Sequence, residues 1–438
     1  MNVSGSTAWQ RLRPVRMTRV ALVAPEEALD AVLAEVGAAG VVELEPVGPE
    51  PGNATVDDAA ATAFARMRAR ALRRYGAATY LGWCPEPARV ALARRLAPLG
   101  GALAPLHLPA RVEPPTLLAR AGRVGRSFAP LVETYGAVPY ADVDPTLLAG
   151  VAYVVMFGMM FGDAGHGLIL LALAAALALR RPRRFPKLRD AWPFVAGAGL
   201  ASTLFGVLFG EFFGPTGLLP AVWLEPLAEP VRLLIAGVGV GGALLAVAYL
   251  LGIVNRWREG SAGFALYAPS GIAGAAVFAG LGLLAAGVYT SSVPLAAAAG
   301  AVAAGGLVLA GAGLYVAAGA GAAAVAQTVV QLFDLVVRIG ANLVSFARLA
   351  AFGLTHAALG ALVWAGTTGS WHRGGLWTVA AAAVFTVGNV LTFGLEAVVA
   401  GVQALRLEYY ELFSRVFEGT GRPFRPWLGL PGPEEVHR

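Results

Sequence analysis

The chain has 438 residues, of which 57% are apolar and 14% are charged, and its net charge is +6. Its mean hydropathy is +0.65. This composition excludes an ordinary soluble enzyme and indicates a polytopic membrane protein. The single cysteine, Cys84, excludes an intrachain disulfide and a cysteine-rich metal site.

The basic residues are almost all arginines, and they lie in clusters between apolar runs. This pattern predicts anchoring at the surface of a lipid bilayer rather than nucleic-acid binding. Lys187 is the only lysine, and it follows Arg184, Phe185 and Pro186, so the chain contains no GxxxxGK[ST] phosphate-binding loop. We therefore expect neither nucleotide hydrolysis by such a loop nor a cofactor.

Residues 1–145 predict a small cytosolic α/β domain. Residues 17–46 have the order strand, helix, strand, and residues 78–108 repeat it, which is typical of a split βαβ fold. Residues 57–75 form one helical pattern, so only a short arm is available at about residues 50–76. The first twenty residues contain no apolar core of signal-peptide length, so we expect the amino terminus to stay in the cytosol.

Residues 146–420 predict an α-helical membrane domain with about eight transmembrane helices, and residues 421–438 predict a cytosolic tail. A bilayer crossing needs about 17 to 25 residues. The apolar segments cover residues 146–162, 163–180, 191–213, 229–255, 264–289, 293–316, 323–366 and 376–416. The last two exceed 40 residues. At about 60 Å they must tilt strongly or project beyond the bilayer.

The first two segments are predicted to form a hairpin, because two crossings return the basic run at residues 180–189 to the side of the basic amino terminus. One long helix is the alternative, since only the run FGDAGHG separates the two segments. The arginines after later segments then also lie inside: Arg256, Arg258, Arg422 and Arg425. We expect an integral membrane protein with both termini in the cytoplasm.

The last two segments each carry one polar stripe. At 100° per residue, the polar side chains of the seventh segment fall between about −20° and +120° around Arg348. They are Gln327, Gln331, Asp334, Arg338, Asn342, Ser345, Arg348, Thr355 and His356. Those of the eighth segment fall within an arc of about 100°. They are Asn389, Glu396, Gln403, Arg406 and Tyr410.

Arg348 is the most unusual residue of the seventh segment. An arginine at the centre of a membrane costs about 2.5 to 3.5 kcal/mol, so Arg348 requires a carboxylate partner or a hydrated cavity. One interpretation is an internal salt bridge, in which Glu396 pairs with Arg348 or with Arg406. The other is a fixed positive charge that faces a carboxylate on another subunit and favours its ionised form, since a guanidinium does not lose its proton.

Positions along the helices assign the other polar residues to two sides of Arg348. His356 and Glu396 lie about 12 to 15 Å outward and are predicted to line an outer half-channel. The residues toward the cytosol are predicted to line an inner one: Asp334, Arg338, Ser345, Glu408 and Glu411. The alternatives are a hydrogen-bonded packing role for His356 and a position of Glu408 and Glu411 at the cytosolic surface.

The run FGDAGHG contains two metal-binding residue types, Asp163 and His166. Two residues at this spacing are weak evidence for a metal site, so we predict none. We interpret the glycines of this run, among them Gly165, as a tight turn between helices. The run at residues 204–214 has a similar glycine pattern with one acid, Glu211, for which we expect an interfacial position at the outer helix end.

Four motifs of the membrane region occur together: MFGMMFGDAGHG (156–167), LFGVLFGEFFG (204–214), NLVSFARLAAFGLTHAAL (342–359) and FGLEAVVAGVQALRLEYYELFSRVFEGTGRPFRPW (393–427). PPTLLAR (114–120) and YGAVPYADVDPTLLAG (135–150) precede them. In order and spacing these motifs resemble the V/A-type ATPase large membrane subunit family. Its members are called subunit a in eukaryotes and subunit I in prokaryotes.

The resemblance implies an eight-helix membrane domain beside a rotating proteolipid c/K ring, and a cytosolic domain that attaches to peripheral stalk subunits. The central-stalk and catalytic subunits of the same ATPase would be indirect partners. Arg348 matches the essential arginine of the family's S-Y/F-x-R-L motif, and Arg406 matches the second arginine, in L-R-L-x-W/Y-x-E. His356, Glu396 and Asp334 also stand at positions that resemble those of the family.

The sequence therefore predicts the non-catalytic stator membrane subunit of a rotary V/A-type ATPase, with half-channels for protons or sodium ions. The residues predicted to carry ion translocation are Arg348, Arg406, Glu396, His356, Gln403, Asp334 and Ser345. Two departures from the family are a shortened cytosolic arm and Arg338, which stands where a small polar residue is expected. Two alternatives stay open: a secondary ion transporter, and a structural membrane scaffold that has lost coupling.

Overall fold

The computed structural model describes residues 13–45, 65, 67–107, 112–119, 122–180, 190–260, 262–319, 321–417 and 419–428. The chain divides into two compact units. The first contains the residues up to Ala119, Ala137–Tyr140 and those from Gly419 onward, and the second contains Arg120–Gly136 and Ala141–Glu418. Most of the predicted arm at residues 50–76, and nearly all of the basic run at residues 180–189, lie outside the described residues.

The first unit contains a five-stranded antiparallel sheet. Its strands are β1 (Met17–Pro25), β2 (Glu43–Glu45), β3 (Leu72–Arg74), β4 (Ala77–Pro85) and β5 (Ala102–Pro105). Four of them follow the order β2-β4-β1-β5, and β3 pairs with another part of β4. Helix α1 (Leu29–Ala39) joins β1 to β2, and helix α2 (Glu86–Leu96) joins β4 to β5. The order strand, helix, strand thus occurs twice, as the split βαβ pattern predicts.

The core of the first unit lies where this sheet meets its helices. In β1 the buried residues alternate along the strand and include Val20, Leu22 and Ala24, because successive side chains of a strand point to opposite faces. Helix α1 contributes Val32 and Val36, which lie one helical turn apart on one face. All five side chains belong to one buried hydrophobic cluster.

The C-terminal segment that starts at Gly419 is part of the first unit. Arg422 forms ion pairs with two acids of β2, Glu43 and Glu45, the second at 3.0 Å. The backbone N–H of Trp427 donates a hydrogen bond of 2.7 Å to the carbonyl of the residue before β2. Residues of the C-terminal segment therefore bind to strand β2 of the sheet and to the residue before it.

The second unit is helical. Its helices are α3 (Gly122–Tyr135), α4 (Thr146–Met160), α5 (Ala164–Arg180), α6 (Trp192–Phe209), α7 (Pro230–Glu259), α8 (Ala262–Tyr267), α9 (Ile272–Tyr289), α10 (Val293–Ala317), α11 (Ala322–Ser345), α12 (Ala347–Trp371), α13 (Trp377–Leu407) and α14 (Ser414–Val416). The turn Glu408–Phe413, between α13 and α14, is a π-helix.

Six helical stretches of the described residues are long and apolar enough to cross a membrane: Trp192–Phe209, Pro230–Glu259, Ala262–Tyr289, Val293–Ala317, Ala322–Trp371 and Trp377–Val416. The apolar helices α4 and α5 are shorter, with 15 and 17 residues. They extend about 22 and 25 Å, less than the hydrocarbon core of a typical bilayer. Length and composition therefore support six of the eight predicted crossings.

Helices α4 and α5 pack on α6 in opposite directions. The contacting pairs are Val154 with Gly197, Gly158 with Ala201, Gly167 with Thr203 and Leu170 with Gly199. Residue numbers rise together along α4 and α6, but they run in opposite senses along α5 and α6. The two short helices are therefore antiparallel, and the chain reverses at the FGDAGHG run, as predicted for a hairpin rather than one long helix.

The seventh apolar segment consists of two helices rather than one. Helix α11 ends at Ser345, helix α12 begins at Ala347, and Phe346 lies between them. The Phe346 N–H bonds to the carbonyl three residues earlier, as in a 3₁₀ turn. The Phe346 ring is fully buried against α7 at Gly241, where a Cβ atom would stand 2.0 Å from the ring. A polar stripe calculated for one continuous helix therefore does not extend unchanged across Phe346.

Candidate functional site

Arg348 is the second residue of α12, just after the interruption at Phe346. Its guanidinium donates a hydrogen bond to the Ser345 hydroxyl, and this hydroxyl donates to the carboxylate of Glu411. The nearest charged atoms of Arg348 and Glu411 are 3.7 Å apart. Arg348 therefore has a carboxylate partner in its own chain, on the π-helical turn.

Arg348 also faces an open groove of the second unit. The groove has a volume of about 740 Å³ and is lined by α7, α11 and α12. Apart from Ser345 and Arg348, its lining side chains are apolar, among them Leu234 and Leu354. The Arg348 side chain is 25% exposed, and its Nη1 atom has no hydrogen-bond partner among the described residues. This Nη1 atom is buried, so the groove is influenced by the positive charge of the guanidinium rather than by a free donor.

Glu396 pairs with a histidine rather than with an arginine. Its carboxylate contacts Nδ1 of His356, and the two residues are only 7% and 3% exposed. The pair joins α13 to α12. The salt bridge from Glu396 to Arg348 or Arg406, which the sequence left open, is not formed between these described residues.

Asp163 holds the turn between α4 and α5 in place. Its Oδ1 atom accepts the backbone N–H of His166 at 2.9 Å, so the carboxylate caps the first turn of α5. It also accepts the N–H groups of Phe213 at 3.0 Å and Gly214 at 2.7 Å, from the loop after α6. Gly165 lies against the Phe213 ring and leaves no room for a Cβ atom. One carboxylate therefore ties together the two glycine-rich runs.

The same turn places His166 beside His356. The two imidazole rings are 5.5 Å apart between centroids, at 79°. The Phe161 ring contacts both histidine rings, and the Phe393 ring contacts His166 and Phe161. The sequence indicates a turn at His166 and a half-channel position for His356, but it does not indicate that the two side chains meet.

Three further acids of the second unit are buried: Glu211, Glu408 and Glu411. Glu211 is 4% exposed, because the loop after α6 folds inward, and Ala164 donates its N–H to the Glu211 backbone carbonyl. The interfacial depth expected for Glu211 stays a prediction. Glu408 and Glu411 are 0% and 6% exposed. The surface alternative for these two glutamates is therefore wrong, because the π-helical turn directs them into the helix packing.

The other predicted site residues lie apart from Arg348. Asp334 and Arg338 form an ion pair one helical turn apart on α11, and both side chains are more than half exposed. Arg406 is exposed on α13, and Gln403 is partly buried one turn before it. Within the described part of the chain, no hydrogen bond or ion pair connects these four residues to Arg348.

Comparison with known proteins gives this arrangement a family context. Residues 79–213 match the sequence profile described as "V-type ATPase 116kDa subunit family". The chain is 28% identical over 317 residues to "A-type ATP synthase subunit I" of Thermococcus kodakarensis, and this match covers 69% of the chain and 46% of the relative. The protein of the same name from Aeropyrum pernix is 27% identical over 366 residues, which cover 73% of the chain and 51% of the relative.

The chain is also similar to a human protein. "V-type proton ATPase 116 kDa subunit a 3" is 35% identical over 127 residues, which cover 27% of this chain and 15% of the human protein. The chain spans about half the length of the archaeal relatives that it matches.

Proposed function

Because the chain is related to the V-type ATPase 116kDa subunit family, we propose that it is the stator membrane subunit of a rotary V/A-type ATPase. This relationship confirms the resemblance that the motifs predict. In the proposed complex the chain is non-catalytic. It provides a path for protons or sodium ions beside a proteolipid ring.

The observation that carries the proposal is the position of Arg348. Its guanidinium lines a groove with apolar walls, and its side chain is 25% exposed. An apolar ring helix that carries one carboxylate is complementary to such a groove in both surface and charge. A permanent cation at this place attracts the ring carboxylate without exchanging a proton with it.

The proposed mechanism uses this attraction to release the transported ion. Two opposite charges about 4 Å apart interact by about 4 kcal/mol at an effective dielectric constant of about 20. That energy corresponds to roughly three pKa units for an acid, at 1.36 kcal/mol per unit. A ring carboxylate that reaches Arg348 therefore gives up its proton or sodium ion, and rotation carries it on to be loaded again.

Glu411 limits how strongly Arg348 attracts the ring. The charges of Arg348 and Glu411 are 3.7 Å apart, and Ser345 bonds to both side chains. The ring carboxylate therefore competes with an acid of the stator for one guanidinium. This competition prevents a permanent ion pair, which would stop the ring.

The remaining features of the proposal concern the membrane and the partners. The short helices α4 and α5 would complete eight crossings, with the last two stretches tilted and both termini in the cytoplasm. Asp334, Ser345 and Glu411 would line the inner path, and His356 with Glu396 the outer one. The ring is the direct partner, and the first unit would contact peripheral stalks.

The test uses the complete ATPase reconstituted in liposomes. Arg348→Ala should abolish ATP-driven ion uptake, because no other group in the groove carries a positive charge. Arg373→Ala is the matched control, since Arg373 is an exposed arginine that stacks on Trp377 at 4.8 Å near the end of α12. We expect this control to keep normal uptake.

Three outcomes would contradict the proposal. Normal coupled uptake with Arg348→Ala would remove the proposed role of the guanidinium. Ion transport by the purified chain alone would favour a secondary transporter. A wild-type complex that contains the ring but shows no ATP-driven uptake would favour an uncoupled scaffold.

A further inference from the structure

We propose that Asp163, His166 and His356 form a binding site for a divalent transition-metal ion of the Zn²⁺ class. One ligand atom from each residue lies within 4.8 Å of the other two. The three residues are 0%, 1% and 3% exposed, so the cluster is closed to bulk water. The site shares His356 and Glu396 with the proposed outer path, but its formation requires neither a ring nor a second subunit.

His166 provides the strongest sign of a missing ligand. Its side chain is 2% exposed, and neither ring nitrogen makes a hydrogen bond of standard geometry with a described residue, although the side chain of Asn389 is close enough to interact with the imidazole. Nδ1 lies 3.9 Å from Oδ1 of Asp163, too far for a hydrogen bond. A buried imidazole without partners is unfavourable, because it loses the hydrogen bonds that water supplies in the unfolded chain. A metal ion between His166 and Asp163 would supply the missing bond.

His356 is oriented as metal-binding histidines usually are. Its Nδ1 atom contacts the carboxylate of Glu396, which leaves Nε2 for a ligand on the other side of the ring. Histidines that bind metals commonly donate their second nitrogen to a carboxylate in this way, which fixes the ring orientation and raises its basicity. Glu396 is therefore a positioning residue of the proposed site.

Asp163 can accept a metal ion in addition to its present bonds. It already accepts three backbone N–H groups, two at Oδ1 and one at Oδ2. A carboxylate offers about four lone-pair sites, so one remains at Oδ2. The three N–H donors hold this oxygen in a fixed position, as a ligand requires.

The donor set selects the class of metal. Two imidazoles and one carboxylate are typical of zinc sites that keep a fourth position for water, whereas Ca²⁺ takes six to eight oxygen ligands. Ligands about 2.1 Å from a tetrahedral ion stand roughly 3.4 Å apart. The observed limit of 4.8 Å therefore requires a closure of about 1.4 Å, which rotation of the His166 ring can provide.

The test is titration of the purified chain in detergent with Co²⁺, a spectroscopic substitute for Zn²⁺. The wild-type protein should bind one Co²⁺ with the intense visible absorption of a four-coordinate site, and Zn²⁺ should displace it. His166→Gln should abolish this absorption, and Glu396→Gln should weaken binding by about 10- to 100-fold. His372→Gln is the control, because His372 is exposed at the end of α12 and should leave binding unchanged.

A second variant identifies the ligand directly. His166→Cys should add a thiolate-to-Co²⁺ charge-transfer band, which the wild-type protein cannot show through Cys84, since that thiol is buried in the first unit. Absence of four-coordinate Co²⁺ in the wild-type protein would overturn the proposal, as would unchanged binding by a folded His166→Gln protein. Either result would leave the Arg348→Ala prediction untouched, so failure of the metal site is distinguishable from failure of the proposed function.

Discussion

Gly206 is a position at which one added methyl group should disturb the packing of the second unit. In α6 this glycine lies against the start of α5, and a Cβ atom would stand 2.0 Å from the backbone nitrogen of Ala164 and 2.4 Å from the carbonyl carbon of Asp163. Carbon atoms in ordinary contact are about 3.5 to 4.0 Å apart, so the two segments would have to separate by roughly 1.5 Å. Both neighbours are backbone atoms, so no change of side-chain rotamer relieves the contact.

The expected magnitude for Gly206→Ala follows from two opposing effects. Overpacking of a filled core costs typically about 1 to 3 kcal/mol, and a backbone clash belongs at the upper end of that range. Replacing glycine by alanine within a helix by itself raises the free energy of unfolding by about 1 kcal/mol. We therefore expect Gly206→Ala to lower the free energy of unfolding by about 2 kcal/mol.

Gly239→Ala provides the matched comparison. Gly239 is also a glycine inside a membrane helix, α7, but no atom lies within 4 Å of the position of its added Cβ. This change should stabilise the protein by about 0.5 to 1 kcal/mol. Melting temperatures of the two variants, purified in the same detergent, should be compared at one scan rate, since large proteins often unfold irreversibly. Equal melting temperatures would refute the close packing of α6 on the α4–α5 turn.

Two further predictions concern charged groups outside the membrane helices. Arg422→Ala removes the ion pairs to Glu43 and Glu45. The Arg422 side chain is 46% exposed, so Arg422→Ala should lower the free energy of unfolding by about 0.5 to 1 kcal/mol and increase hydrogen exchange of residues 419–428. Arg425→Ala keeps the backbone bond to Glu43 and should have neither effect. Burial raises the pKa of Asp142 from 3.8 to about 7, so the folded chain binds an extra proton between these values. Stability from this group is therefore full below about pH 4 and is lost as the pH rises to about 7; melting curves of Asp142→Asn that keep the wild-type slope across this window would contradict the assignment.

The sequence predicted the features that depend on one segment at a time. Apolar length identified the long helices, and the alternation in β1 identified the sheet core. The glycine-rich run FGDAGHG predicted the turn that now separates α4 from α5. Each of these features follows from local periodicity or from residues that tolerate close contact.

The contacts of the site depend on pairs that are far apart in sequence. Ser345 and Glu411 are separated by 66 residues, and their contact requires the π-helical turn. No proline or glycine within this turn indicates it in the sequence. The sequence also does not indicate the helix interruption at Phe346, because an aromatic residue is compatible with a continuous helix. It is fixed instead by the space beside Gly241 on another helix. His166 and His356 were both recognised, but only the packing of α12 on the first hairpin brings them together.

The C-terminal residues Arg422 and Trp427 bind to the sheet of the first unit, although they follow all the helices of the second unit in sequence. This order has a consequence for biosynthesis. Glu43 and Glu45 leave the ribosome early, and Arg422 emerges only after every helix of the second unit has been made. Glu43 therefore lacks its arginine partner while the helices are synthesised, whereas Glu45 already pairs with Arg19 and accepts a hydrogen bond from Trp83. The bonds that Arg422 and Trp427 make to the first unit can form only after the last helix of the second unit has been synthesised, so a first unit with these bonds belongs to a chain whose synthesis has passed that helix.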